Sequence, residues 1–419
     1  MTSAPHVVIV DSYAPTRLLA AQFEKAGASL VRVQSTVEVP EVYRSSFDVD
    51  NYVENIIHRG DLAQTVAAVR RYRPVAVVAG GEIGVELADA LSEALGLPTN
   101  GTALSEARRD KYVMIETLRA AGVPAARQLL VRDEDELVAW HESIGGRVVL
   151  KPVRSAAGDN VSFCDTPEES VAAYRRILGA PNVFSEVNTA VVAQEYLAGT
   201  EYMLNTVSRD GVHHVCEIWR TTRILANGVQ DLNDSAYLTA SRGDVQDRLA
   251  DYARRVLDAL GIQHGPAHVE IKMTNAGPVL VEVGARICGG NLPYYAQLAA
   301  GESQLDWSVD AYLDPERFHA RAHEDYQRQQ VVANVALVSP VEGVLRGYRD
   351  LDAIRNLDSF KDLSIYVQPG DRISRTVDDT TYPALMWLMH ETEEVVLRDA
   401  GTVRYLDGTG FYDLEPEEG

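Results

Sequence analysis

The chain has 419 residues, more than one ordinary hydrophobic core accommodates, and that length predicts about two to four domains. A hydrophobic share of 46% with 24% charged residues is that of a folded globular protein and excludes a disordered one. Lysine and arginine number 39 against 61 aspartates and glutamates, a net charge of −22, which excludes long-range attraction to nucleic acid or an anionic membrane.

In chain order, Met1-Thr-Ser-Ala-Pro5 leads almost at once into a strand at His6–Val10, without the charged and apolar leader of a targeting segment. A helical stretch to about Ala26, a strand at Ser29–Val33 and another at Val75–Ala79 follow. The last of these runs into Gly80-Gly81-Glu82-Ile83-Gly84 and a helix through Leu95. Strand, glycine turn and helix make a Rossmann-like arrangement, but the spacing is not GxGxxG, so the turn reads as scaffold.

From about Ser105 a helix is expected to carry Arg108-Arg109-Asp110-Lys111 and to end near Gly122-Val123-Pro124. A strand at Arg127–Val131, an acidic-capped helix from Asp133 and a strand Arg147–Pro152 come next. Lys151 stands at that strand's end, directly before the small-residue loop Val153-Arg-Ser-Ala-Ala-Gly-Asp-Asn-Val161. Backbone N–H groups of such a loop can wrap phosphate oxygens, with Ser155 and Gly158 as its nucleotide-binding positions. It is not a P-loop, because the lysine precedes it and GxxxxGK[ST] is absent. Val191–Leu204 then runs from one strand through a bend at Gly199 into another.

His268–Arg286 holds two alternating runs around the turn signal Asn275-Ala276-Gly277-Pro278. A hairpin symmetric about Ala276 places Glu270 and Glu282 directly opposite each other. Like charges so placed destabilise a sheet, and a divalent cation such as Mg²⁺, carried with a nucleotide phosphate, removes the penalty. The other reading is a solvated hairpin whose carboxylates face water. Adjacent His213 and His214 point to opposite strand faces and so do not share a metal, and His268 reads as a satisfied structural histidine.

Beyond Asp314 the chain turns polar, as a surface helix or connector. From Val331 alternating runs predict an α+β unit of about 80 residues, and the tail Glu415–Gly419 reads as disordered. No run approaches the ~18 apolar residues of a membrane span. Cys164, Cys216 and Cys288 are far apart, without CxxC spacing, and read as reduced thiols of a cytoplasmic protein.

Lys111, Lys151-Pro152 with its loop, Gln194-Glu195-Tyr-Leu-x-Gly-x-Glu201, Glu270 and Glu282-x-x-x-Arg286 together resemble the ATP-grasp superfamily in order and spacing, over roughly 105–300. Within it the chain looks most like the carboxylate–amine ligases, in particular the L-amino acid (dipeptide) ligases. Arg286-Ile-Cys-Gly-Gly-Asn291 and Ser208–Arg220 are similar to theirs.

The resemblance implies an ATP-grasp fold of α/β and α+β units. These would be an N-terminal Rossmann-like domain over 1–104, a small subdomain with its linker helix over 105–198, a large subdomain over 199–330 and a C-terminal α+β domain over 331–419. It implies ATP bound through Lys111, Lys151, Ser155, Gly158, Gln194, Glu195, Tyr196, Leu197 and Glu201, Mg²⁺ held by Glu270 and Glu282, and Arg286 gripping the transferring phosphate. Trp219, Arg220, Gly289, Gly290 and Asn291 would face the substrate, although Arg220 reads equally as an exposed strand-end arginine. Gly284 departs from the family's Glu-x-Asn-x-Arg pattern and puts a second magnesium ligand in doubt.

The implied activity is ATP-dependent joining of a carboxylate to an amine through an acyl-phosphate. The substrates are small molecules, no nucleic acid or membrane takes part, and a homodimer is admitted. The alternatives are a biotin-carboxylase-like or purine-pathway enzyme of the same superfamily, or a non-catalytic ATP-binding protein. The chemistry needs cations at the phosphates and no protein nucleophile, and the chain has no GxSxG elbow.

Overall fold

The computed structural model describes residues 4–13, 16–47 and 51–416. The first three residues of the N-terminal lead, part of the helical stretch expected before Ala26 and the end of the acidic tail fall outside them. Two compact units divide the chain. The first gathers residues up to 156, 160–218 and 241–326; the second gathers 157–159, 219–240 and 327 onward.

The first unit begins with β1 (His6–Val10), α1 (Leu18–Lys25), β2 (Ser29–Gln34), β3 (Glu54–Ile57), α2 (Leu62–Arg70), β4 (Ala76–Ala79) and α3 (Val85–Leu95). Its four parallel strands lie in the order β3-β2-β1-β4. The apolar run of β1 is explained by burial on both faces. Val7 and Ile9 pack with Leu19, Phe23 and Leu30, whereas Val8 and Val10 pack with Val31, Val69 and Leu91.

The expected helix from Ser105 is in fact broken. Glu106–Arg108 is a single 3₁₀ turn, and α4 (Lys111–Ala120) starts afresh. Asp110 causes the restart, because its side chain accepts hydrogen bonds from the Tyr112 and Val113 N–H groups as an N-cap. Next come β5 (Gln128–Leu130), α5 (Glu134–Ile144), β6 (Val148–Pro152), β7 (Ser162–Cys164), α6 (Pro167–Ile177) and β8 (Val191–Glu195). These strands form an antiparallel sheet in the order β5-β8-β6-β7. Leu137 of α5 and Ala173 and Ile177 of α6 pack in one core with Val148, Leu150, Val191 and Ala193.

The chain continues through β9 (Gly199–Arg209), β10 (Val212–Ala226), β11 (Val229–Leu238), α7 (Asp244–Ala259), β12 (Gly265–Thr274), β13 (Gly277–Gly284), α8 (Leu292–Ala300) and α9 (Gln304–Leu313). The division between the units falls inside β10, between Ile218 and Trp219, and β11 belongs to the second. In the first unit β12 pairs along its whole length with β9, from Gly265↔Ser208 to Thr274↔Gly199, and β13 takes its other edge. That continuous ladder holds the carboxylate-bearing hairpin rigidly.

The second unit is α+β and takes in β11 and the end of β10 as well as the chain from 327 onward. There β11 pairs with Val331–Ala336, which pairs with Ala384–His390, which pairs with Phe360–Ile365. Val396, Ala400 and Val403 of the helix Glu393–Leu406 share a core with Val331, Val335, Met386 and Leu388. Among the described residues no helix is long and apolar enough to cross a membrane, and the three cysteines are free and buried.

Candidate active site

Glu270 and Glu282 are partners across the β12–β13 hairpin, as expected, but not by symmetry about Ala276. From Thr274↔Gly277 to Ile271↔Leu280 the ladder closes around the two-residue turn Asn275-Ala276. A bulge then leaves Val281 unpaired and shifts the register, so that Glu282 meets Glu270. An unbulged ladder would set Glu282 opposite Val269, with its side chain on the other face of the sheet.

The two carboxylates are half-buried and differently partnered. Lys111 Nζ donates to Glu282 Oε1 at 2.9 Å and to the Ser155 carbonyl at 2.7 Å. A lysine in the first turn of a helix opposes the helix dipole, and at α4 these two oxygens offset that cost. The N–H of Lys111 also donates to the Val153 carbonyl, which ties the helix start to the small-residue loop. Lys151 is buried on β6, and burial lowers its pKa to about 8 against the opposing pull of Glu282, with Lys111 adding to the depression and Glu270 and Glu201 resisting it. The fold thus brings together both lysines, both hairpin glutamates and Ser155.

Glu270 is 3.2 Å from His268 Nε2, whose Nδ1 is 2.7 Å from Asn205 Oδ1. Asn205 in turn donates to Glu217 at 2.7 Å. This row crosses β12, β9 and β10 beneath the site and gives His268 the satisfied role expected of it. His213, held by Ser208 and Asp258, is likewise satisfied. Glu217 is fully buried with Oε2 unpartnered. Burial raises its pKa to about 8, only partly opposed by the Asn205 hydrogen bond and the charge of His268. Its folded pKa exceeds the ordinary value near 4.5, so folding takes up a proton between those values and stability falls as pH rises across that window. Glu217→Gln should remove that slope. Its melting temperature relative to wild type is expected to rise from pH 5 to about pH 8 and to level off above that, and parallel curves would place the proton elsewhere.

Arg286 lies where β13 ends, and it donates from Nε to Glu82 Oε2 at 3.0 Å. Arg109 Nη1 donates to the other oxygen of Glu82 at 3.1 Å. Burial would raise the Glu82 carboxyl, but Arg286, Arg109 and Lys111 together hold it below its usual range. The Gly80–Gly84 turn presents the carboxylate that pairs with both Arg286 and Arg109. Its glycines allow the close approach. A Cβ on Gly81 would stand 2.7 Å from the Asp11 carbonyl, and one on Gly84 2.8 Å from that of Val10. Gly284 has a comparable reason, since a Cβ there would crowd Arg286 Cζ at 3.0 Å and Glu82 Oε2 at 3.1 Å. Sequence reading missed Glu82 and Arg109; the available signal was an acidic residue inside a glycine turn at a strand's C-terminal end.

The remaining candidates are distributed as follows. Gln194 donates to Gln128 at 3.0 Å, and Glu195 takes the Arg127 N–H at 2.7 Å and its Nε at 2.8 Å. The Tyr196 N–H bonds the Arg147 carbonyl, Leu197 is half-buried, and buried Glu201 pairs with Lys272 at 3.4 Å. Gly289, Gly290 and Asn291 form the turn into α8, with Gly290 and Asn291 left-handed at φ 68° and 61°. Gly158, Trp219 and Arg220 belong to the second unit. There Trp219 is wholly buried, edge-on to Trp387, and Arg220 is exposed with its guanidinium over Tyr237. Among the described residues no three His, Cys, Asp or Glu side chains gather as a metal site. The two hairpin carboxylates supply oxygen ligands of the hard type, and a cation between them would take its other ligands from phosphate and water.

Comparison with known proteins bears on the family. A family described as "ATP-grasp domain" matches residues 144–293. Dapdiamide A synthase of Enterobacter agglomerans is 31% identical over 421 residues, covering 97% of each chain. Alanine–anticapsin ligase of Bacillus subtilis strain 168 is 23% identical, covering 69% of this chain and 62% of its own. The crystal structure of an L-amino acid ligase from Bacillus licheniformis superposes with a TM-score of 0.76 at 18% identity, covering 99% of this chain and all of that one.

Proposed function

The chain belongs to the ATP-grasp amide-bond ligases, and on that premise we propose that it joins two amino acids, or amino-acid-like substrates, using ATP and Mg²⁺. The observation that carries this reading is Glu270 facing Glu282 across one hairpin, with Lys111, Lys151 and Arg286 around it. A carboxylate is a poor electrophile, and phosphoryl transfer from ATP gives it a leaving group that an amine can displace. Lys151 and Lys111 neutralise the phosphates, while Arg286, oriented by Glu82, holds the oxygens of the group in transit. Glu270 and Glu282 would hold the Mg²⁺, which supplies further charge neutralisation at the phosphates. No protein nucleophile is required.

The test is phosphate release from ATP with pairs of amino acids, products being identified by mass. Stimulation that needs both amino acids is expected, together with a dipeptide. Stimulation by bicarbonate and biotin instead would overturn the reading. Lys151→Ala should weaken affinity for a non-hydrolysable ATP analogue by about 10- to 100-fold, the loss of a charge-assisted hydrogen bond worth about 1.5–3 kcal/mol. Equal affinity by calorimetry would place this lysine outside the nucleotide site.

A further inference from the structure

The first unit contains a cavity of about 410 Å³ that the reaction as described does not use. It opens past the C-terminal ends of β2 and β3, lined there by Ser35, Thr36 and His58, and α3 closes it with Glu86, Leu87 and Ala90. In open parallel sheets this end of the strands is where ligands bind. Arg109 and Arg154 also line it. Arg154 is held in a two-pronged pair with Glu86, at 3.1 Å on each arm. Arg109 is only 6% exposed, spends one nitrogen on Glu82, and its Nε has no partner. The Ser35 hydroxyl is also buried, beside the Asp11 carboxylate. A buried guanidinium with unused donors is costly unless something accepts from it. Here it stands beside a second arginine, two hydroxyls, the carboxylates of Glu86 and Glu186 and the apolar walls of Ile83 and Leu87, so a ligand carboxylate must draw the arginines' donors against two acidic neighbours.

Ligation of two amino acids has two carboxylates to recognise. One is activated and consumed; the other, on the partner that supplies the amine, survives into the product. Arg286 serves the first. We propose that this cavity binds the surviving carboxylate, on Arg109 and Arg154, with the apolar wall facing the side chain of the same amino acid. The inference rests on the ligase reading. Arg109 and Arg286 each take one oxygen of Glu82, so the two anion positions are linked through a single carboxylate, and filling one bears on the geometry of the other.

Two variants test this. Arg154→Ala removes a cation, and Ala90→Trp fills the cavity without touching a charge. With the substrate pair found by phosphate-release screening, each should raise the KM of the amine-supplying amino acid at least tenfold, and Ala90→Trp should leave the KM of ATP and of the acyl donor within twofold. The carboxamide of the amine partner should be a correspondingly poor substrate for wild type, with little further loss in Arg154→Ala, as two changes to one contact require. A wild-type KM for that partner in both folded variants, or equal use of acid and carboxamide, overturns the proposal. Calorimetric titration without nucleotide separates the sources of the carboxylate. The free amino acid should bind wild type and fail to bind Ala90→Trp, whereas a cavity that takes only the dipeptide is a product site and defeats the assignment. These outcomes are distinct from failure of the ligase reading, which would appear as no amino-acid pair stimulating phosphate release.

Discussion

Glu282→Ala is expected to reduce ATP-dependent phosphate release by about 10³-fold or more, beyond the 10- to 100-fold typical of losing a residue that only supports a metal ligand. The variant should still fold. Glu282 is half-buried, next to the bulge in a ladder whose other pairs are untouched, and its removal relieves the repulsion from Glu270. The substitution also strips Lys111 of its carboxylate partner while leaving the Ser155 carbonyl. Phosphate binding should therefore survive better than turnover. Steady-state phosphate release and a melting curve on the same preparation decide the matter. Unchanged release would remove the magnesium assignment, and a collapsed melting curve would reassign Glu282 to the fold.

Arg286→Lys should lower kcat by about 10²-fold or more, the scale of losing one donor to a developing oxyanion, with ATP affinity near normal. The substitution keeps the charge and loses the planar fork. That fork is already divided, because Nε is given to Glu82 and Nη1 to the Ile287 carbonyl. A lysine ammonium has no fixed geometry with which to hold Glu82 and a phosphoryl group together. Dipeptide and phosphate should fall in step if Arg286 acts in carboxylate activation. Continued phosphate release without dipeptide would show that it shields the acyl-phosphate from water. Full coupled activity would leave it as the structural partner of Glu82.

The sequence was most legible where side-chain period and burial agree. The β1 run, the α3 start and the turn of the carboxylate hairpin follow from local pattern, whereas the bulge at Val281 that sets Glu282 against Glu270 does not, and Asp133 caps α5 as read. The strand β3 was missed because it is an edge strand, half-exposed, with no clean alternation in Glu54-Asn-Ile-Ile57. The break before α4 was missed because helical period continues through Arg108–Lys111, while the Asp110 cap is a single side-chain event. Glu82 escaped notice for a different reason. Its importance lies in two arginines distant in sequence, Arg109 and Arg286, and no local pattern encodes that meeting. Gly284 looked like a lost ligand, but the fold assigns its space to the Arg286–Glu82 pair.

Val281, the unpaired residue of the bulge, matters more for its presence than for its identity. Substitutions there change a half-buried side chain, but they leave the residue count between the turn and Glu282 untouched. Deleting Val281 is different. The ladder that closes at Ile271↔Leu280 would then run on without interruption, and Glu282 would still meet Glu270. Pairing would be kept, and only the local bend and extra twist that a bulge gives a strand would be lost. A chain one residue shorter therefore separates two properties that no point mutation can: which carboxylates face each other, and the angle at which β13 delivers Arg286. The hairpin is in that sense a reading frame, and the lengths of its segments are as much a part of its chemistry as the side chains they carry.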